Sequence, residues 1–357
     1  ASDANAGETT YNAKYSWATN TGFQTSGYFS GSQTLLYVAV RKGPMQTPTS
    51  RASVFAIDTK GSSGDGKAPA FRLGNIVDMQ INRKHATGTD EPNNFDLSSR
   101  LLGTKYLVTN SDAVEANNSD LVWAYNNGVD SRTSSDSADY SWLWRRAPGF
   151  FDIVAYEGTG SARTINHNLT VAPEMIWCKS RETVSSSNSW WVYHKNLPTP
   201  NDDAFTVNSL GDIATGNGTL LWNSTAPTST VFSLGTYNGL NQSGKDYIAF
   251  LWSTLAGISK VGSFSHTNGS STDVDCGFSS GSSLVWVRRI DSGISNDALF
   301  YVWDSSRGIV SGNDPYLALN STDNPVTDTD YIDTLNSGFQ MSSSFITGDY
   351  IFYAIAA

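Results

Sequence analysis

Two short patterns place reactive residue types at spacings that could bind or catalyse. Asp304 and Arg307 follow a strand-like segment, and they suit either a binding-site pair or a structural ion pair at a corner. We favour the ion pair, because a partly buried charge is stable beside its opposite. The run Gly-Phe-Ser-Ser-Gly at 277–281 has the pattern of a nucleophile elbow, but a strand-like run follows it where a helix is required. Neither pattern predicts catalysis, and we expect no enzyme.

An acidic segment near the end of the chain is the candidate metal site. Asp328, Asp330 and Asp333 place carboxylate oxygens at short intervals, which suits a hard cation such as calcium. The EF-hand template is not met, because no glycine turn and no closing glutamate complete the loop. A solvated acidic loop is therefore the competing interpretation, and no other cofactor is expected.

Tryptophans are the candidates for stacking on sugars. The chain has 11 of them. Six recur at matching places of a unit of about 100 residues that the sequence repeats, which indicates a scaffold role: Trp123, Trp222, Trp144, Trp252, Trp177 and Trp286. Trp142 has no aromatic equivalent, and Trp190 and Trp191 are neighbours whose side chains point to opposite faces of a strand. We therefore predict these three as glycan-binding residues, with burial in a core or subunit interface as the alternative.

The composition excludes several classes of protein. The 357 residues carry a formal net charge of −10, and only 16% of them are charged. Such an acidic surface repels nucleic acid. No apolar run approaches the roughly 18 residues of a membrane-spanning helix. The two cysteines, Cys178 and Cys276, cannot form a disulfide framework.

A unit of about 100 residues occurs three times. The segment that ends each copy reads DYSWLWRR, KDYIAFLW and GDYIFYAI, which aligns Tyr140, Tyr247 and Tyr350 at spacings of 107 and 103 residues. A second segment reads TKYLVTNS, DDAFTVNS and DPYLALNS in the same order. Residues 20–44 are similar to the end of the last copy, so the tail of a fourth repeat precedes the three, and we expect paired strands there.

Every repeated segment predicts a β-strand. Each is five to eight residues long, rich in β-branched and aromatic residues, and bounded by Gly, Asn, Ser and Asp. We predict an all-β chain of tandem antiparallel β-sandwich (jelly-roll-like) repeats of about 100 residues. Residues 1–44 end an upstream partial repeat, 45–148 form a divergent repeat, and 149–257 and 258–357 form two β-sandwich repeats. Because a unit of this size can bury its own core, we expect separate beads.

Three long runs carry a family resemblance. They are RRAPGFFDIVAYEGTGSARTINHNL from Arg145, YIAFLWSTLAGISKVGSF from Tyr247 and VWDSSRGIVSGNDPYLALNST from Val302. These runs resemble a repeat domain of uncharacterised role in structural proteins of tailed bacteriophages, especially those of marine and cyanobacterial hosts. The similarity is good over about 145–357 and weak over 1–144.

The resemblance implies a non-enzymatic protein on the virion exterior, tail-fibre or adhesin-like, which binds a host-surface glycan. The expected partners are other virion proteins and that glycan, with neither nucleic acid nor membrane insertion. By resemblance, the chain is expected to form a homo-oligomer, and a trimer in particular. Two alternatives stay open. One is a purely structural component, such as a head decoration or fibre shaft. The less favoured one is a polysaccharide depolymerase, which needs two carboxylates across a cleft.

Overall fold

Strands dominate the chain, and three successive stretches of it form the same set of strands. The computed structural model describes residues 16–18, 23–25, 46–59, 69–83, 94–131, 140–291, 293 and 298–357. Residues 1–45 and 46–357 are separate units. In the first unit, β1 (Ser16–Ala18) and β2 (Phe23–Thr25) pair in antiparallel fashion. The rest of the strand pairing expected within 20–44 lies outside the described residues.

The first repeat follows a 3-10 turn at Arg51–Ser53 and has two layers. The strands of its large sheet are, in spatial order, β3 (Phe55–Thr59), β11 (Tyr140–Trp144), β5 (Met79–Arg83), β6 (Phe95–Ser99), β7 (Lys105–Val108) and β8 (Ala116–Asn117). Its small sheet contains β4 (Phe71–Arg72), β10 (Gly128–Ser131) and β9 (Leu121–Val122).

The second and third repeats are built in the same way. The large sheet of the second contains β12 (Phe151–Glu157), β18 (Asp246–Trp252), β14 (Met175–Ser180), β15 (Trp191–His194) and β16 (Phe205–Thr206), and its small sheet contains β13 (Arg163–Asn166) and β17 (Val231–Leu234). A short helix, α1 (Asn238–Asn241), follows. The large sheet of the third contains β19 (Ser259–His266), β26 (Gly348–Ala356), β21 (Ser282–Arg289), β22 (Phe300–Asp304) and β23 (Leu317–Ala318), and its small sheet contains β20 (Thr272–Asp275), β25 (Gly338–Met341) and β24 (Ile332–Leu335).

The strand order is the same in all three large sheets. The last strand of each repeat lies between its first and third strands, and all neighbours are antiparallel. The register also agrees, because Trp177 lies opposite Phe250 and Trp286 lies opposite Tyr353. The predicted all-β class with antiparallel sandwich sheets is confirmed. Within the described residues, no helix is long and apolar enough to cross a membrane.

One face of each large sheet packs on its own small sheet, and the other face enters a core shared by all three repeats. The shared core centres on Trp144, Trp177, Trp252 and Trp286, whose neighbouring rings lie 5.1 to 5.9 Å apart. The expectation of separate beads is therefore wrong. Strands such as β18 are apolar on both faces, and the face that the small sheet leaves uncovered is buried against the other repeats.

The tyrosine alignment that revealed the repeats holds for two copies and fails for the first. Tyr247 and Tyr350 lie in the cores between their own large and small sheets. Tyr140 lies on the opposite face, in the shared core. Its register equivalents are Ile248 and Ile351. The alignment was off by one residue, and a shift of one residue moves a strand side chain to the other face.

Two connections of the same form join the repeats. Residues 147–151 and 255–259 are each closed by a bridge between their first and last residues. Gly149 and Gly257 stand at the centres of these turns with φ of +73° and +71°, in the left-handed region that favours glycine. Because similar steps follow one another, the large sheets surround a common core, and the third repeat contacts the first.

Candidate functional site

Two of the three predicted glycan-binding tryptophans lie in the shared core. Trp142 and Trp190 are fully buried. Trp142 Nε1 donates to Asp304 Oδ2 of the third repeat at 3.1 Å, and Trp190 Nε1 donates to the Val108 carbonyl of the first repeat at 2.8 Å. The prediction is wrong for both, because neighbouring repeats cover the ring faces that a sugar would need. Their indole N–H groups join repeats instead.

Trp191 alone of the three retains exposed surface. It is half-buried and meets Tyr237 edge to face, with ring centres 5.0 Å apart. Gly239 lies against this pair, where an added Cβ would stand 2.4 Å from Tyr237 Cε1. Trp191 and Tyr237 therefore form a fixed aromatic corner on the second repeat. The sequence did not single out Tyr237, because it lies outside the repeated segments.

The three aspartates of the candidate calcium site do not form a cluster of metal ligands. Within the described residues, which include Asp328, Asp330 and Asp333, no three His, Cys, Asp or Glu side chains are grouped to hold a metal ion. Asp330 and Asp333 face the buried Asp314 instead. Burial, with the charges of Asp333 and Asp330 acting in the same direction, raises the pKa of Asp314 to about 7. The Val310 N–H donates to the Asp314 carboxylate at 2.6 Å, so this residue fixes a loop.

Asp304 and Arg307 form an ion pair at the end of β22. Arg307 Nη2 lies 2.7 Å from Asp304 Oδ2, and the Ser306 N–H donates to the same carboxylate at 3.0 Å. Asp304 is fully buried, and it also accepts the Trp142 indole N–H described above. The pair thus holds the corner and also fastens the third repeat to the first.

Each repeat buries one cation at the same place on its third strand. Arg83, Lys179 and Arg288 are each at most 2% exposed. Each donates to a loop carbonyl of a neighbouring repeat. Arg83 reaches the third repeat at 2.6 Å, Lys179 reaches the first at 3.2 Å and Arg288 reaches the second at 2.9 Å. Burial lowers the pKa of these groups to about 10, 8 and 9. Sequence reasoning missed them, although they lie two residues after aligned positions.

The asparagine of each repeated Asn-Ser pair has a structural role. Asn110, Asn208 and Asn320 each accept the backbone N–H at the start of the fourth strand, at 3.1, 2.9 and 3.0 Å. This contact ties the fifth strand to the fourth in every repeat. The recurrence of the motif therefore reflects a structural requirement for folding.

An open cleft lies between the second and third repeats. Its volume is about 730 Å³, and its lining comprises Pro198, Asp212, Ile213, Thr215, Arg289, Ile290, Asp291 and Asp349. Arg289 pairs with Asp291, whose other oxygen accepts the Asp349 N–H at 3.1 Å. The lining thus contains three carboxylates and one guanidinium, so the cleft favours neutral or cationic ligands.

The matching junction between the first and second repeats is filled. There Arg181 Nε lies 2.8 Å from Glu115 Oε2. In the repeat alignment Arg181 corresponds to Ile290 of the cleft, and Glu115 corresponds to Ile213. Two isoleucines cannot form such a bridge. The cleft is therefore a local departure from the repeat pattern.

Comparison with known families identifies most of the folded unit as one family domain. Residues 79–357 match a family described as "Domain of unknown function (DUF7483)". The match begins at the third strand of the first repeat and extends through the third repeat, so it includes both later repeats in full and the first repeat without β3 and β4. No curated protein matches the sequence.

Proposed function

The chain belongs to the DUF7483 family, a domain of unknown function, and we propose that it is a non-enzymatic protein of a tailed-phage exterior. In this role it binds the host surface as a tail-fibre or adhesin-like component. The phage resemblance of the three long sequence runs supports the proposal. Its partners are other virion proteins, and it assembles as a homo-oligomer, by resemblance a trimer.

The observation that carries host binding is the open cleft between the second and third repeats. Its volume of about 730 Å³ lies within the range of roughly 300–1,000 Å³ typical of small-molecule sites. Carboxylates accept hydrogen bonds from sugar hydroxyls, and a guanidinium or threonine hydroxyl donates them. We therefore propose a glycan with neutral or amine-bearing sugar units, since three carboxylates would repel an acidic polysaccharide.

A retention experiment tests this proposal. The purified chain is incubated with immobilised surface polysaccharide of the host, and both bound protein and released reducing ends are measured. Asp212→Asn and Asp349→Asn should weaken retention. Asp273→Asn serves as the matched control, because this exposed aspartate lies on the small sheet and pairs with Gln340 away from the cleft. Retention that is the same in all variants would refute the cleft as the binding site.

The arrangement of three repeats about one core favours a second function, that of a purely structural virion component. A head decoration or fibre shaft needs a rigid body rather than a ligand site. Absence of retention on any host polysaccharide would favour this function. Release of reducing ends would instead support a depolymerase, with two of the cleft carboxylates as the acid and base.

A further inference from the structure

Three buried polar atoms without hydrogen-bond partners occur where the third repeat meets the first. They are Arg83 Nη1, the Tyr140 hydroxyl and Arg307 Nη1. A buried donor that lacks a partner destabilises the folded state, so native proteins rarely leave one without an acceptor. Three in one place indicate that something absent from the polypeptide accepts their hydrogen bonds.

The geometry brings the three groups together. Tyr140 lies directly opposite Arg83 on the adjacent strand, with both side chains on the inner face. The guanidinium carbon of Arg307 lies 5.6 Å from the centre of the Tyr140 ring. Burial lowers the pKa of Arg83, and the charge of Arg307 acts in the same direction, as expected of two cations at one junction.

Other donor atoms of both arginines have partners. Arg83 Nη2 donates to the Asp323 carbonyl at 2.6 Å. Arg307 Nε donates to Asp304 at 2.8 Å, and its Nη2 also donates to the Val302 carbonyl at 3.0 Å. Each side chain is therefore fixed in place with one Nη1 left over. Guanidinium groups only donate, so the common ligand must be an acceptor.

The other two junctions between repeats lack this group. At the positions of Tyr140 they have Ile248 and Ile351, by strand register. At the position of Arg307, three residues after the end of the fourth strand, the second repeat has Leu197. Apolar contacts suffice to close those junctions, so the polar triad is a specific addition at this junction.

We infer that Arg83, Tyr140 and Arg307 form a binding site for a halide ion, such as chloride, that bridges the first and third repeats. A monatomic anion accepts hydrogen bonds from any direction, and it offsets the positive charge of the buried Arg83, whereas Asp304 already pairs with Arg307. A carboxylate, sulfate or phosphate would bring further oxygens that each need a donor, whereas a halide accepts all the hydrogen bonds at one atom.

Stability measurements at constant ionic strength test the site. Sodium gluconate is replaced stepwise by sodium chloride or bromide, and the thermal unfolding midpoint is recorded. The midpoint of the wild type should rise with the logarithm of halide concentration, as expected for a ligand that binds only the folded state. Tyr140→Phe should lose this rise, since it removes one donor and leaves the ring in place.

Tyr353→Phe is the matched control. Tyr353 is also buried in the shared core with an unpartnered hydroxyl, but it lies opposite Trp286 rather than beside an arginine. It should keep the wild-type response, which separates site binding from general salt effects. Equal responses in the two variants, or no halide response at all, would overturn the inference.

A bromide-soaked crystal provides the independent readout. An anomalous peak at hydrogen-bond distance from both Nη1 atoms supports the site. Only a water molecule there, with no anomalous signal, overturns it. Because this junction is distinct from the cleft between the second and third repeats, either result leaves the glycan proposal unaffected.

Discussion

Trp286 offers the sharpest test of the shared core, because its ring touches all three repeats. It is fully buried, and its nearest ring is that of Trp177, at 5.1 Å in a stacked arrangement. Trp144 of the first repeat lies at 5.5 Å, and Tyr353 of the third at 5.4 Å. Trp-to-Ala changes in cores cost about 3–5 kcal/mol. Because aromatic pairs add about 0.5–1.5 kcal/mol each, we expect Trp286→Ala to lower the free energy of unfolding by about 5 kcal/mol.

The strands that Trp286→Ala destabilises are as informative as the change in the free energy of unfolding. Urea unfolding gives the free energy, and hydrogen exchange of the native protein shows which strands lose protection. If one core serves all three repeats, β11 and β14 should lose protection together with β21. Phe339→Ala is the control for a buried aromatic residue outside the shared core, because Phe339 lies in the third repeat's own core, where its ring meets Phe264 and Phe352. It should loosen β20 and β25 first.

A confined effect would refute the reasoning. If Trp286→Ala leaves the amides of β11 and β14 fully protected while β21 exchanges, then the repeats fold independently and the shared core contributes little to their stability.

Three further predictions follow from single contacts. Burial lowers the pKa of Lys179 from 10.5 to about 8. Between these pH values the unfolded chain therefore binds more protons than the folded chain, and the free energy of unfolding of the wild type should rise with pH by up to about 3 kcal/mol. Lys179→Met should lack this rise in urea titrations across that pH range. Asn320→Ala leaves the Phe300 N–H without its acceptor and should cost about 2 kcal/mol by thermal unfolding. Burial raises the pKa of Cys178 and Cys276 to about 12. A thiol reagent at pH 8 should therefore label them only as fast as the protein unfolds. Rapid labelling of the native protein would contradict their burial.

The sequence predicted the strands and the threefold repetition, because both depend on local patterns. Alternation and turn residues define each strand, and recurring segments define each unit. The shared core could not be predicted in the same way. The sequence showed that strands such as β18 are apolar on both faces, but not whether a small sheet or a neighbouring repeat covers the second face. Only tertiary packing decides this.

The same limitation explains the errors at the candidate site. The alignment gave Trp142 no aromatic equivalent, yet the strand register makes Phe250 and Tyr353 its equivalents in the other repeats. The buried cations were missed because Arg83, Lys179 and Arg288 look like ordinary surface charges in a sequence. Their burial depends on loop carbonyls from another repeat, more than 60 residues away along the chain.

The position of the last strand in each sheet has a consequence for synthesis on the ribosome. Each repeat makes its first and third strands early, but they stay unjoined until the last strand emerges and inserts between them. The shared core is delayed further, because Ile351, Tyr353 and Ile355 of β26 complete it. The apolar faces of the two earlier repeats that enter the shared core therefore stay incompletely covered until β26 leaves the exit tunnel. Translation speed and chaperone access over this interval determine how much of the chain reaches the native state.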